Sequence, residues 1–219
     1  MERNFIDGYT EWQANPEIVG VNRLPQHATL MPYENFDEAK KADRYASSRC
    51  KLLNGKWKFK LYKNYAYKPS DFAQPHYDAH NWDSIIVPGS WQMQGYDQPQ
   101  YCNVRYPWEG SEDICPPNAP TKHNPVGCYL KKIHINAAAL QKRIVLCFEG
   151  VESAFYLYIN GERVGYSESS FNRAEFDISR HLHEGSNTIG VEVYRWCTGS
   201  WLECQDMWRL AAYSVMYIS

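Results

Sequence analysis

The chain has 219 residues and a formal net charge of −2, and hydrophobic residues make up 44% of it, as in an ordinary globular protein of one large or two small domains. A charge so close to zero gives no electrostatic reason to expect binding to nucleic acid or to an anionic membrane. No apolar run approaches the ~18 residues of a membrane span, and residues 1–5 lack the apolar core of a secretory signal. We therefore expect a cytoplasmic protein without nucleic-acid or membrane partners.

The first part of the chain contains few clear elements. Residues 9–12 are consistent with the start of either a short helix or an arm, and residues 37–42 contain helix-forming and charged residues over a short length. Polar and apolar residues alternate over residues 56–62, which predicts a strand with Trp57, Phe59 and Leu61 on one buried face. Residues 84–87 predict a short buried strand that stops at Pro88.

Residues 92–125 predict one long loop, with prolines at positions 99, 107, 116, 117, 120 and 125. Loops of this length inside a compact domain are usually functional or disordered. The aromatic and polar residues of this loop favour a function.

Strands then follow closely, over residues 128–135, 143–148, 154–159, 163–166, 175–178 and 188–194. Asn160-Gly161 predicts a type I′ hairpin turn, and residues 185–187 predict the turn before the last of these strands. Many short strands separated by turns predict an all-β antiparallel sandwich or jelly roll. Seven cysteines without a CxxC pair predict reduced thiols, with Cys147 as a small core residue.

Residues 195–209, RWCTGSWLECQDMWR, contain three tryptophans, two acids and two arginines directly after a strand. Tryptophan faces cover the apolar faces of a pyranose, and carboxylates bind its hydroxyls, so this composition suits a sugar site. An aromatic cluster that closes the end of a β-sandwich explains the same rings equally well. The composition alone leaves both interpretations open.

The same segment resembles the one that ends the N-terminal domain of family 2 glycoside hydrolases of the large β-galactosidase type. Five further blocks resemble that family, in its order: NP…NRLPQH (15–27), LNGKWKF (53–59), VPGSWQMQGYD (87–97), YCNVRYP (101–107) and NPVGCY (124–129). Each block alone is weak, but six in the family's order are specific.

This resemblance implies an N-terminal arm over residues 1–50 and a jelly-roll sugar-binding domain over residues 51–219. It also implies a role in a β-galactosidase, which hydrolyses terminal non-reducing β-D-galactose residues, with lactose as a typical galactoside. In that family the catalytic glutamates and a magnesium ion belong to a (β/α)₈ barrel. This chain has no such alternation of strands and helices, so we expect it to be inactive alone and to need the remaining domains of the enzyme as partners.

The resemblance also implies the site residues. The acid of the QDMW block, here Asp206, ligates a sodium ion and faces the galactosyl group, and a carboxylate oxygen suits such a hard cation. The asparagine of the NVxYP block, here Asn103, lies at the galactose subsite beside Val104. The alternatives are a salt bridge from Asp206 to Arg195 or Arg209, and a turn-forming asparagine.

Other residues that the sequence singles out point away from catalysis. Glu203 lacks the second carboxylate that glycoside hydrolysis needs, and His181 and His183 lack a nearby third metal ligand. We expect Trp91 in the core, and Trp201 and Trp208 either in the core or as ring platforms for a sugar. Beyond Arg209 the chain departs from the family pattern, because the SGIFR turn is replaced by about three residues.

Two other functions remain open on these grounds. The first is a lectin-like module that binds galactosides without cleaving them. The second is a structural module whose aromatic face packs against another domain.

Overall fold

In a computed structural model of the protein, which describes residues 11–100, 105–204 and the backbone of residues 215–218, the strands form two antiparallel sheets. The predicted all-β sandwich is confirmed. The strands are β1 (Gly20–Val21), β2 (Gly55–Tyr62), β3 (Asp83–Val87), β4 (Gly89–Ser90), β5 (Val126–Ile135), β6 (Val145–Val151), β7 (Ala154–Ile159), β8 (Glu162–Glu168), β9 (Ala174–Asp177), β10 (Gly185–Tyr194) and β11 (Val215–Ile218).

Short helices and 3₁₀ turns connect these strands. The helices are α1 (Glu11–Ala14), α2 (Phe36–Lys40), α3 (Ala137–Leu140) and α4 (Ser200–Glu203), and the 3₁₀ turns are Arg44–Ala46, Tyr65–Tyr67, Gln92–Gln94 and Ser179–His181. The side chain of Asn35 caps α2, because its Oδ1 accepts a 2.9 Å hydrogen bond from the Glu38 amide. Of the two alternatives for residues 9–12, the structure has a short helix, α1, and the helix-forming residues 37–40 lie in α2.

The larger sheet has the strand order β1-β8-β7-β10-β5-β2-β3, and the smaller one β4-β11-β6-β9. The core between them is aromatic and aliphatic, with Trp57 and Phe59 of β2 almost fully buried and Leu61 packed at the margin. The predicted alternation of β2 is therefore confirmed. On β7, Phe155 and Leu157 point into this core, because alternate residues of a strand face opposite sides of the sheet.

The outer face of the larger sheet is also covered, which the sequence did not predict. Here the tyrosine rings of β7, β8 and β10 form a second buried cluster, closed by Trp12 of α1. The Trp12 ring stacks on Tyr194 with a centroid separation of 4.6 Å. The central strand β7 is consequently buried on both faces.

This outer cluster encloses the carboxylate of Glu192, which is fully buried. It accepts hydrogen bonds from the hydroxyls of Tyr158 at 3.0 Å and Tyr194 at 2.5 Å, and forms an ion pair with the Lys68 ammonium at 3.1 Å. A buried charge requires such partners, because an unpaired carboxylate is costly in an apolar interior.

Several local predictions were right and two need correction. Asn160 and Gly161 have φ of 52° and 86°, as the predicted type I′ turn requires. The strand over residues 84–87 was predicted as buried, but Ile86 is 47% exposed because β3 is an edge strand with one open face. Residues 185–187 were predicted as a turn, but they already pair with residues 133–135 of β5, because the turn lies earlier.

Residues of the predicted arm are built into the sandwich. β1 pairs with β8 at the edge of the larger sheet, with Gly20 opposite Ser167. The Trp12 carbonyl accepts a 2.9 Å hydrogen bond from the Thr198 amide, and the Gln13 carbonyl accepts one of 2.7 Å from the Ala119 amide. The division into an arm (1–50) and a domain (51–219) stays a prediction.

Candidate functional site

One end of the larger sheet brings together the stretches that the sequence singled out. Tyr194, the last residue of β10, pairs with Val126 at the start of β5 and with Ala154 at the start of β7. Ala154 in turn pairs with Glu168, the last residue of β8. The long loop that enters β5 and the aromatic segment that leaves β10 therefore meet at this end of the sandwich.

The predicted site residues Asn103, Val104 and Asp206 lie outside the described residues, as does Trp208. The described residues that flank Asn103 and Val104 in the chain are Gln100 and Arg105. The described residue that precedes Asp206 and Trp208 is Cys204. The site is therefore built here from the residues that flank them.

Asn124 ties the loop to the aromatic segment. Its Oδ1 accepts a 3.0 Å hydrogen bond from the Trp196 amide, and its Nδ2 donates to the carbonyls of Trp196 at 2.9 Å and Pro120 at 3.1 Å. The asparagine is fully buried. Its amide side chain thus replaces the strand pairing that Trp196 would have had if β10 continued.

A second link joins Arg195 to the first part of the loop. Its guanidinium forms an ion pair with Asp97 and donates to Oε1 of Gln100 at 3.2 Å and to the Gln98 carbonyl at 3.4 Å. Arg195 was one of two alternative partners for Asp206, and among the described residues its ion-pair partner is Asp97.

Glu112 holds the last part of the loop in place through hydrogen bonds to its backbone. Its carboxylate accepts hydrogen bonds from the backbone amides of Thr121 at 2.9 Å, Lys122 at 2.7 Å and His123 at 2.8 Å. Burial raises the pKa of this carboxyl, but the three amide donors outweigh burial and hold the pKa below its ordinary value. The ionised carboxylate therefore fixes residues 112–123 as one folded unit.

Four rings at this end form an aromatic cluster, made of Tyr106, Trp108, Trp196 and Trp201. Trp108 stands edge-on to Trp196 and Trp201 at centroid distances of 5.3 and 5.0 Å, and Tyr106 stands edge-on to Trp201 at 4.6 Å. Trp108 and Trp196 are only 3% and 5% exposed. The Tyr106 ring stacks on Trp108 at 5.1 Å, and the Arg195 guanidinium lies over the Trp196 ring at 4.8 Å. Trp201 and Tyr106 are half-buried and are the members with open surface.

The cluster is also fixed by hydrogen bonds between the loop and α4. The Tyr106 hydroxyl donates to the Trp201 carbonyl at 3.0 Å, and the Trp201 indole donates to the Asn118 carbonyl at 2.8 Å. Two buried donors nearby, Nε1 of Trp108 and Nε of Arg195, have no hydrogen-bond partner among the described residues. They are donors that a ligand or a neighbouring segment can use.

Two carboxylates at this end link the end of β8 to the aromatic segment, and only Glu203 was singled out by the sequence. Glu168 accepts hydrogen bonds from the hydroxyls of Tyr166 and Thr198 and from the Gly199 amide, and Glu203 accepts from Ser170. Burial raises the pKa of Glu168 to about 6. Glu203, which the sequence assigned no catalytic role, bonds to protein groups.

The remaining candidates lie elsewhere or are buried. Trp91 is fully buried in the core, as predicted. His181 bonds to Glu162 at 2.8 Å, at the opposite end of β8 from Glu168. Burial raises the pKa of the Cys197 thiol well above its ordinary value. Cys147 is a reduced cysteine and is 5% exposed, in line with the predicted core position.

Within the described ranges, no three or more His, Cys, Asp or Glu side chains come together as metal ligands would. None of the helices in these ranges is long and apolar enough to cross a membrane.

Comparison with known proteins identifies the wider group. Residues 50–217 match the family described as "Glycosyl hydrolases family 2, sugar binding domain". A β-galactosidase of Priestia megaterium is 52% identical over 94% of this chain and 20% of its own length. A β-galactosidase of Halalkalibacterium halodurans is 45% identical over 91% of this chain and 20% of its own length. A β-galactosidase large subunit of Lactobacillus helveticus is 40% identical over 91% of this chain and 33% of its own length. The chain thus spans a fifth to a third of the length of these relatives.

Proposed function

The chain belongs to the family 2 glycoside hydrolases, as the sugar-binding domain of that family, and we propose that it supplies one wall of the galactose pocket of a β-galactosidase. The whole enzyme would cleave terminal non-reducing β-D-galactose residues from galactosides such as lactose in the cytoplasm. The catalytic glutamates and a magnesium ion would lie in domains outside this chain, which would be inactive alone.

The observation that carries this proposal is the double link between the two stretches that bear the predicted site residues. Tyr106, two positions after Val104, bonds to the Trp201 carbonyl, which lies five positions before Asp206. Gln100, three positions before Asn103, bonds to Arg195. The loop and the aromatic segment are therefore held against each other on both sides of residues 101–104, which supports a joint site.

In this proposal Asn103 and Val104 contact the galactosyl group, and Asp206 binds both that group and a sodium ion. An amide side chain offers a donor and an acceptor, as a sugar hydroxyl requires. The donor chemistry of Asp206 fits sodium, since carboxylate oxygens suit hard cations. The sodium ion would hold the carboxylate and the sugar hydroxyls in place, which contributes to orientation rather than to bond cleavage.

The stand-alone lectin is the weaker alternative, because the rings of the aromatic cluster mostly cover one another. Trp108 and Trp196 are nearly buried, and a lectin platform needs an open ring face.

A contact with the remaining domains has more support. Leu202 and Phe171 are 77% and 63% exposed, and they adjoin the Glu203–Ser170 hydrogen bond at the same end. Exposed apolar side chains beside the proposed site favour an interface with the rest of the enzyme.

The proposal is tested by titrating galactose into this chain calorimetrically, in sodium and in potassium buffers. The variants are Asp206→Ala and Asn103→Ala, with the exposed Asn118→Ala as a matched control. We expect millimolar affinity, about −4 kcal/mol, because only one wall is present. Binding should need sodium, disappear in Asp206→Ala, weaken in Asn103→Ala and persist in Asn118→Ala.

Sodium-independent binding that survives Asp206→Ala would contradict the assigned site and favour the lectin alternative. The absence of binding in either salt would mean that this chain holds no half-site. In that case the structural role alone would remain.

A further inference from the structure

Two glutamates link the end of β8 to the aromatic segment, and they do so in opposite directions. Glu168 ends β8 and accepts from residues of the aromatic segment, whereas Glu203 lies in α4 and accepts from a residue just after β8. We call this pair, with the donors Thr198, Gly199 and Ser170, the carboxylate clamp.

The two halves of the carboxylate clamp have the same chemistry. The Glu168 carboxylate accepts from the Thr198 hydroxyl at 2.9 Å and from the Gly199 amide at 3.2 Å. The Glu203 carboxylate accepts from the Ser170 hydroxyl at 2.5 Å and from the Ser170 amide at 2.7 Å. Each glutamate thus binds one hydroxyl and one backbone N–H of the other stretch. Hydrogen bonds to an ionised acceptor are the stronger kind.

The Glu168 carboxylate is buried, and its surroundings decide which groups can satisfy it. The side chain is 4% exposed and takes part in no ion pair among the described residues. The titratable groups beside it are the Tyr166 hydroxyl, the Cys197 thiol and, beyond that thiol, the Glu203 carboxylate. The Arg23 guanidinium donates to the backbone carbonyl of Glu168 at 3.2 Å and forms no ion pair with its carboxylate. Because no cation neutralises it, this carboxylate depends on donors from the aromatic segment, and a donor lost there leaves it under-satisfied.

The clamp stands directly before the stretch that bears the predicted ligand. Glu203 precedes Asp206 by three positions, and α4, which contains it, is only four residues long. A helix this short is not stable by itself. Its direction, and hence the direction in which the chain leaves it, is set by contacts with the rest of the domain.

We propose that Glu168 and Glu203 are positioning residues for the sugar-binding end, which fix the turn over residues 198–204 and so set the course of the chain toward Asp206. Neither glutamate contacts the sugar in this proposal. The inference rests on the proposed function only for its consequence, which is tighter galactoside binding, and the fixing of the turn is independent of any ligand.

The test uses the whole chain with Glu168→Ala, Glu203→Ala, Glu203→Gln and, as a matched control at an exposed glutamate, Glu184→Ala. The first readout is the backbone amide ¹H–¹⁵N spectrum without sugar. We expect the resonances of Gly199 and residues 205–208 to shift in Glu168→Ala, and those of Ser170 and residues 205–208 to shift in Glu203→Ala. In Glu203→Gln they should stay close to wild type, because the amide can still accept from and donate to Ser170.

The second readout is galactose affinity in sodium buffer, measured on folded protein below its unfolding temperature. We expect a loss of about tenfold in each alanine variant, a loss below threefold in Glu203→Gln, and no change in Glu184→Ala. A purely structural role would lower the unfolding temperature and leave the resonances of residues 205–208 and the affinity unchanged, which would overturn the proposal.

The two proposals fail in different ways. If wild type binds no galactose, the proposed function fails, and the spectra alone decide whether the clamp fixes the turn. If wild type binds and the alanine variants bind equally well, the clamp proposal fails and the proposed function stands. A variant that does not fold is replaced by Thr198→Val or Ser170→Ala, which remove one donor each and carry the same expected shifts.

Discussion

The change Asn124→Ala tests whether one buried amide joins the loop to the aromatic segment. It removes three hydrogen bonds and leaves the amide and carbonyl of Trp196 without their side-chain partner. Each buried hydrogen bond contributes about 1 kcal/mol, and each backbone group left unsatisfied costs about 1–3 kcal/mol. Because two of these bonds leave buried backbone groups of Trp196 unsatisfied, we expect the free energy of unfolding to fall by about 3–4 kcal/mol.

The assay is urea unfolding at constant pH, followed by circular dichroism and by tryptophan fluorescence. The matched control is Asn118→Ala, since Asn118 is exposed and its side chain makes a single 3.2 Å bond to the Cys115 carbonyl. We expect a change within about 0.5 kcal/mol for this control. A loss below 1 kcal/mol in Asn124→Ala, or equal losses in both variants, would refute the reasoning.

Three further changes probe the sandwich. Gly165→Ala should cost about 1–3 kcal/mol in thermal unfolding, because its Cβ would lie 2.2 Å from the Phe176 ring; an unchanged midpoint would contradict this. Lys68→Met should cost about 3 kcal/mol in the same assay, because it leaves the Glu192 carboxylate buried without its cation; Lys132→Met, at an exposed lysine, is the control. Glu168→Gln should change the pH dependence of stability. The pKa of Glu168 rises from 4.5 in the unfolded chain to about 6 in the folded protein, so the folded protein binds this proton more tightly. The stability that this proton contributes to the folded state is complete below pH 4.5 and is lost as the pH rises through 6. Relative to wild type, the variant should therefore gain about 2 kcal/mol between pH 4 and 7.5 in urea unfolding, and a constant difference would contradict the burial of an ionisable group.

Strand patterns predicted the sandwich because each strand face has a consistent environment. Trp57 and Phe59 alternate with lysines and face the core, and Asn160-Gly161 forms the expected turn. The pattern was less reliable at Ile86, where the edge position of the strand, which no local sequence encodes, leaves an apolar side chain exposed.

The candidate site was predictable in composition but not in its support. The motifs marked the loop and the aromatic segment, yet no pattern indicated that Asn124 or Glu112 would hold them. Asn124 bonds to Trp196, which is 72 positions away in the chain. The Glu112 carboxylate accepts from the Lys122 amide, ten positions away in the same loop. Such partners are chosen by tertiary contacts, because hydrogen-bonding side chains are common in loops and only the fold decides which groups they meet.

The sequence by itself determined the family and the class of fold, because strand alternation, turn residues and ordered motifs are properties of neighbouring residues. Only the tertiary structure decided that the outer face of the larger sheet is buried under α1. It also decided that Glu168 binds the aromatic segment and that Glu203 binds a residue just after β8. The reason is physical: a buried carboxylate is stable only where folding brings donors to it, and those donors lie about 30 positions away along the chain.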